Sequence, residues 1–311
     1  MLGGLFSGAI GIMVMLNAVL ASELWDNQQR NSCVGENSTI SQLQGEGRRS
    51  PLVTQGRGRS NNGYQSDEVY TVQGVVTRLH QGKDAGFFMQ QTTASDLSLA
   101  SRGIFVSTTA IAITNIKVNT RVCVTGVVAE YYGMTRLQQT TAITTFITTL
   151  GPAIAVQPTN LLVASADANF SETLERYEGM KVRLVDLSAM RVSKPLYYDR
   201  RWQRYYMLLS HQSVNIHPNS YAVPGSILAD QHALDNQQRR LGLQLADGLT
   251  NASQLDYIRV NDSVSAVVGI ITFSYGEFSL LVDHGLSRRQ FKHLSDREML
   301  APRSNDNLRI A

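Results

Sequence analysis

Short runs of alternating apolar and polar residues, broken by glycine and polar turns, organise most of this chain. "VYTVQGVVTRLH" (Val69 to His80) has the period-2 pattern of a half-buried strand, and "GFFMQQ" and "GIFVS" are short apolar runs bounded by polar residues or glycine. "RVCVTGVVAEYYGMTRLQ" (Arg121 to Gln138) reads as a long strand, a turn at Gly133 and a return strand. Gly74 and Gly126 fall inside strand patterns, where they predict the bulges and sharp coiling of a small barrel.

The pattern then recurs. "IKVNTRVCVTGVVAEYYGMTRL" from Ile116 resembles "IRVNDSVSAVVGIITFSYGEFSL" from Ile258, 142 residues further on, with one inserted residue. That spacing is too long for a solenoid period and suits a duplicated domain. Upstream of the second copy, "MKVRLVDLSAMRVS", "YYMLLS" and "RRLGLQLAD" occupy the places of the first three strand runs. A short helix over "SETLERY", capped by Ser171 and stopped at Gly179, leads into this copy, and "TTLGPAIAVQPTN" links the two. Five short strands per copy predict an all-β protein of two tandem OB-type small β-barrels with short helices, at residues 66–150 and 155–285. A generic β-sandwich fits the same alternation and stays as the alternative.

Composition permits this. With 43 % hydrophobic and 17 % charged residues in 311, a sizeable core is available and wholesale disorder is excluded. The net charge of +3 specifies no partner, but its distribution does more. Between Met190 and Arg204 lie Arg191, Lys194, Arg200, Arg201 and Arg204 against one acid, Asp199, interleaved with Tyr197, Tyr198 and Trp202 and followed by Tyr205. Cations for phosphates and aromatic faces for bases are what a single-strand-binding barrel presents. Arg239 and Arg240 precede the third strand run and extend the candidate surface, while Tyr131, Tyr132 and Arg136 form a thinner counterpart in the first copy. Solvated arginines with structural tyrosines, or a contact surface for a further domain, are the competing readings. Smaller basic runs lie at Arg48 to Arg59 and Arg288 to Lys292.

Residues 1–21 carry a long apolar run ending in Val19-Leu20-Ala21, with a small residue where signal peptidase cuts, the mark of a secretory signal peptide, followed by an extension over residues 22–65. The n-region lacks a basic residue, so an uncleaved membrane anchor is the alternative; after cleavage no stable membrane contact is expected. Export, to the periplasm or the medium, turns Cys33 and Cys123 into a candidate disulfide that staples the N-terminal segment to the first barrel, the other reading being two unrelated thiols. His80, His211, His217, His232, His284 and His293 show no metal-ligand spacing, and neither a D-x-D cluster nor a G-x-S-x-G elbow occurs. No metal, cofactor or catalytic residue is expected in this chain.

The strings "SQLQGEGRRSPL", "YTVQGVVTRLH", "GFFMQQ", "GIFVS" and "VCVTGVVAEYYGMTRLQ" resemble the first OB-like module of ExeM-type extracellular deoxyribonucleases of bacteria. "LERYEGMKVRL", "NQQRRLGLQLADG" and "GIITFSYGEFSLLV" are similar to the next stretch of those nucleases. In that family an endonuclease/exonuclease/phosphatase domain comes after these modules, opening on a stretch similar to "NLRIA". The resemblance implies that residues 286–306 are a linker, that residues 307–311 begin a nuclease domain missing here, and that a divalent metal such as Mg belongs to that domain. It further implies a non-catalytic accessory region of a secreted nuclease, with DNA, single-stranded or bound without sequence preference, and the nuclease domain as partners. The alternative is a secreted structural or adhesive β-protein that binds a glycan or a protein.

Overall fold

The computed structural model describes residues 33–53, 55–56, 64–81, 84–93, 99–140, 146–200, 204–245 and 257–294. The signal-peptide and nuclease-domain readings therefore lie outside the described residues.

Alternation builds the first barrel. After a two-residue β1 (Gln55–Gly56), the strands are β2 (Tyr64–His80), β3 (Gly86–Gln90), β4 (Gly103–Ser107), β5 (Thr120–Tyr131), β6 (Met134–Gln138) and β7 (Ile147–Pro152). Two short helices accompany them, α1 (Ile40–Gln44) and α2 (Ala110–Ile113). Val72 and Val76 of β2, Phe87 and Met89 of β3, Ile104 and Val106 of β4, Val122, Val124 and Val128 of β5 and Leu137 of β6 form one core. Antiparallel pairing joins β2 to β3, β3 to β4, β5 to β6 and β5 back to β2, while β4 and β6 run parallel. The cyclic order β2-β3-β4-β6-β5, with α2 between the third and fourth strands, is the OB arrangement.

One end of this barrel is filled by α1. Thr39 caps it through a reciprocal box with Gln42, and Ile40 and Leu43 are fully buried in the core. A Cβ on Gly74 would meet Ile40 Cδ1 at 3.2 Å, so this glycine admits the helix; the register shifts of β2 fall instead between Gln65 and Val69 and between Val76 and Arg78. Gly126 likewise lies in regular pairing, where a Cβ would stand 2.8 Å from Gln138 O. The expectation that both glycines mark bulges is corrected: they permit close approach. Cys33 and Cys123 form a disulfide with Cα atoms 5.3 Å apart, packed on Leu150.

The second sheet repeats the order with interruptions. It comprises β8 (Thr159–Asn160), β9 (Lys181–Arg183), β10 (Met190–Asp199), β11 (Arg204–His211), β12 (Arg240–Leu245), β13 (Ser263–Val264), β14 (Val268–Ser274), β15 (Glu277–Val282) and β16 (Phe291–Lys292). A 3-10 turn at Asp186–Ser188 separates β9 from β10, which together act as the first strand; β13 and β14 together act as the fourth. β10 pairs with β11 and β13, β9 with β14, and β12 runs parallel to β15, so the sheet closes through these broken strands. Helix α3 (Phe170–Glu175) leads in. Its cap is Asn169, whose side chain accepts from Glu172 N, not Ser171: burying Phe170 and Leu174 starts the helix earlier than the polar pattern suggests. Helix α4 (Ile227–Gln238) sits in the long connection between β11 and β12.

The barrels share an interface. Phe88 and Phe105 of the first pack on Ile270 and Leu281 of the second. Arg78 Nη1 donates to Leu281 O, Val282 O and Asp283 Oδ1 at 3.0 to 3.2 Å, and Lys181 pairs with the other Asp283 oxygen at 3.2 Å. Gly103 and Gly179 touch backbone to backbone: a Cβ on Gly103 would lie 2.1 Å from Gly179 C. Glu178, 1 % exposed, accepts from Thr135 N at 2.9 Å across this seam.

Candidate nucleic-acid interface

The two hairpins of the duplicated segment end in the same two-residue turn. β5 and β6 meet at Tyr132-Gly133 between the paired Tyr131 and Met134; β14 and β15 meet at Tyr275-Gly276 between the paired Ser274 and Glu277. Both central residues of each turn have positive φ, 52° and 89° in the first and 54° and 82° in the second. This is the primed geometry that matches strand twist and ordinarily takes Asn-Gly. Here a tyrosine occupies the first position both times.

Barrel packing brings these turns face to face. A Cβ on Gly133 would lie 2.7 Å from Phe273 Cε1, so the missing side chain lets the first turn rest on the second barrel. Across the seam the Tyr132 and Tyr275 rings are 19° from parallel with centroids 6.5 Å apart. Tyr132 is 44 % and Tyr275 66 % exposed.

On one side of the pair lies a cleft of about 560 Å³ between the barrels. Its first-barrel wall is aromatic: Phe88, Phe105 and Tyr131, with His80 and Asp84 at the margin. Arg136 crosses this wall, its guanidinium 3.8 Å from the Tyr131 ring centroid and its Nη2 donating to Gln138 Oε1 at 3.1 Å. Arg136 Nε is buried with no hydrogen-bond partner among the described residues. Burial draws the Arg136 pKa down, opposed by Tyr131 and Asp84, and raises that of Tyr131. Burial and, next, Arg78 lower the His80 pKa, with Asp84 opposing. The facing wall holds Arg204, whose Nη1 donates to Gln244 Oε1 at 2.7 Å, with Thr272 and Phe273. An adjoining recess of about 240 Å³ shares Arg204 and Tyr275 and adds Tyr206, whose hydroxyl burial pushes up to about 12.

A second cavity of about 470 Å³ shares Tyr132, Phe273 and Tyr275 with the first and is lined further by Arg48, Arg49 and Tyr64. Arg49 stands 4.9 Å over the Tyr64 ring, and Arg48 donates to Ser171 Oγ at 3.2 Å. Two acids share this cavity. Glu130 Oε1 is held by Ser50 N at 2.9 Å and Thr135 Oγ1 at 2.7 Å. Burial above all pushes the Glu175 carboxyl up to about 8, with Arg48 opposing and Glu130 assisting, so Glu175 is protonated at neutral pH.

Of the residues singled out in the sequence, the structure gathers Tyr131, Tyr132 and Arg136 of the first copy with Arg204 of the second. The rest disperse. Lys194 lies 3.7 Å over the Tyr197 ring, Tyr205 packs edge-on to Tyr198 at 5.1 Å, and Arg191 is half-buried opposite Ser210 and Ser263. Arg200 is exposed at the hairpin turn, while Arg201 and Trp202 lie outside the described residues. Arg240 pairs with Ser210 at the other end of β11 from Arg204, and its side chain meets Glu277, which lines the adjoining recess with Arg204 and Tyr275, at 3.5 Å. Arg239 donates to Asp235 O at 3.1 Å and to Ser213 Oγ.

Phe88, Phe105, Phe273 and Tyr275 escaped the sequence reading. For Tyr275 a signal existed, since the repeat aligns its Tyr-Gly with Tyr132-Gly133. Among the described residues no group of three or more His, Cys, Asp or Glu side chains is placed to hold a metal ion.

No protein-family model matches the chain, and no curated protein matches it. Among solved structures, a single-stranded DNA binding protein from Thermus aquaticus aligns over 79 % of this chain and 98 % of that one, at 12 % identity and a TM-score of 0.20, too loose a superposition to argue from.

Proposed function

We propose that this chain is a nucleic-acid-binding region that holds DNA, without sequence preference, in the seam between its two barrels. The observation that carries the reading is the convergence of Tyr131, Tyr132 and Arg136 from one barrel with Arg204 and Tyr275 from the other. OB-type barrels receive oligonucleotides on their second and third strands and on the loops after the first and fourth. In the first barrel His80 and Tyr132 occupy the two loop places, while Phe88 and Phe105 on the strand face are covered by Ile270 and Leu281 of the second. The aromatic surface suits bases and the arginines suit phosphates, and no base-edge code is needed for either. The resemblance to secreted nucleases assigns the region the role of presenting DNA to a metal-dependent phosphodiesterase, and the disulfide is in keeping with a compartment outside the cytoplasm.

The test is an anisotropy titration of labelled oligonucleotides at several salt concentrations. Binding weakens as salt rises, and Arg136→Ala or Arg204→Ala reduces the slope of log K against log salt by about 0.7 each on single strands. Absence of salt-dependent binding, or unchanged slopes in both variants, refutes the proposal and leaves a glycan or protein ligand for the seam.

A further inference from the structure

The two turn tyrosines raise a separate question. A bulky residue with positive φ is an outlier, and Asn would suit both turns better. Yet Tyr132 and Tyr275 both adopt that conformation at equivalent positions, and both project into the seam. A conformation kept at a cost in two places points to what the side chains do.

Their geometry suggests the task. A planar ring in van der Waals contact with two flanking rings needs about 7 Å between them. The Tyr132 and Tyr275 centroids are 6.5 Å apart with planes 19° from parallel, short of that spacing, so the two exposed rings must part slightly to admit one. The pair is also shared by two arginine-bearing cavities: Arg136 and Arg204 line one, Arg48 and Arg49 the other, and both tyrosines line both.

We propose that Tyr132 and Tyr275 form a slot for one unstacked nucleobase of a single strand, with the backbone running from Arg48 and Arg49 on one side to Arg136 and Arg204 on the other. The inference rests on the nucleic-acid reading above and adds strandedness and polarity of contact to it. Near-parallel rings select a flat π-faced group, and cations on both sides select a ligand charged before and after that group. An internal nucleotide of a single strand has both properties. A base inside a duplex must first unpair and unstack to enter, so the slot discriminates against double strands. Of the two acids in the Arg48 and Arg49 cavity, Glu175 is held protonated at neutral pH by burial, and Glu130, 2 % exposed, is engaged by Ser50 N and Thr135 Oγ1.

The experiment uses the full chain and a twelve-nucleotide single strand carrying 2-aminopurine at its centre, whose fluorescence is quenched by stacking. The variant Tyr132→Asn/Tyr275→Asn removes both rings while supplying the residue each turn prefers, and Tyr132→Phe/Tyr275→Phe keeps the rings. The slot predicts quenching on binding to the wild type and to the Phe variant. In the Asn variant quenching is lost and single-strand affinity falls by roughly 5- to 150-fold, the range of one lost base stack, with unchanged affinity for a duplex. Melting of the Asn variant at or above the wild-type temperature shows that the loss is not unfolding. Single-strand binding with normal salt dependence but equal affinity in the Asn variant overturns the slot and leaves the nucleic-acid reading intact. No binding of any oligonucleotide by the wild type overturns both.

Discussion

Replacing Cys33 and Cys123 together by Ala opens a covalent loop whose ends are 90 residues apart in the chain. In the chain-entropy account, closing a loop of that length removes about 15 cal/mol/K from the unfolded ensemble, which at 25 °C is about 4.6 kcal/mol. The described residues of the loop lie in the first barrel or its leading segment, so the loss falls there. Cys33 also ties down the segment that carries α1, whose Ile40 and Leu43 fill the barrel end. Ala leaves no buried hydroxyl at the two sites, 8 % and 6 % exposed, and so isolates the cross-link. Urea unfolding followed by circular dichroism measures the change, and hydrogen exchange locates it. The first-barrel strands β2 and β5 lose protection, while β11 and β12 change little. Reduction of the wild type reproduces the variant. The unfolded variant exposes more surface, so its m-value rises. A loss below about 1 kcal/mol, or an equal loss of protection in both barrels, refutes the reasoning.

Three further outcomes concern the seam and the cores behind it. Glu178 is fully buried, and desolvation, then Glu175 and Glu130, raise its pKa well above the ordinary value; Glu175 is pushed up to about 8. Both hold protons in the folded state that the unfolded chain releases above about pH 4.5, so their contribution is complete below that pH and lost as pH climbs through the folded values. The melting temperature therefore falls between pH 5 and pH 8.5, and Glu178→Gln, neutral throughout, flattens the profile; parallel profiles would count against this. Gly133→Ala drives a Cβ to 2.7 Å from Phe273 and strains a φ of 89°, so it destabilises the interface by about 1–3 kcal/mol in denaturant titrations and weakens single-strand binding by moving Tyr132. Phe87→Ala, at a fully buried first-barrel position, costs about 3–5 kcal/mol in the same assay and leaves exchange in the second barrel unchanged.

Much of the fold was legible along the chain because its causes are local. Period-2 alternation states which face of a strand is buried, so the strands of both barrels appear as apolar runs, and duplication shows as a repeated string. The backbone carries the same correspondence at Asn119 and Asn261, equivalent left-handed residues with φ of 63° and 72°. Gly74 and the α3 cap were misread for one reason: each answers to a tertiary contact, Ile40 in one case and the burial of Phe170 in the other.

The sequence by itself determined an all-β chain of two similar small barrels, two cysteines in reach of a staple, and an excess of arginines and tyrosines in one hairpin. Only the tertiary structure decided which of those residues meet. Arg136 and Arg204 are far apart in the chain and in different barrels, and so are Tyr132 and Tyr275. What joins them is how the barrels seat, through Gly103 against Gly179, Arg78 on Asp283 and Gly133 on Phe273. Such contacts carry no periodicity, because they depend on the shapes of two finished surfaces and not on the faces of one strand.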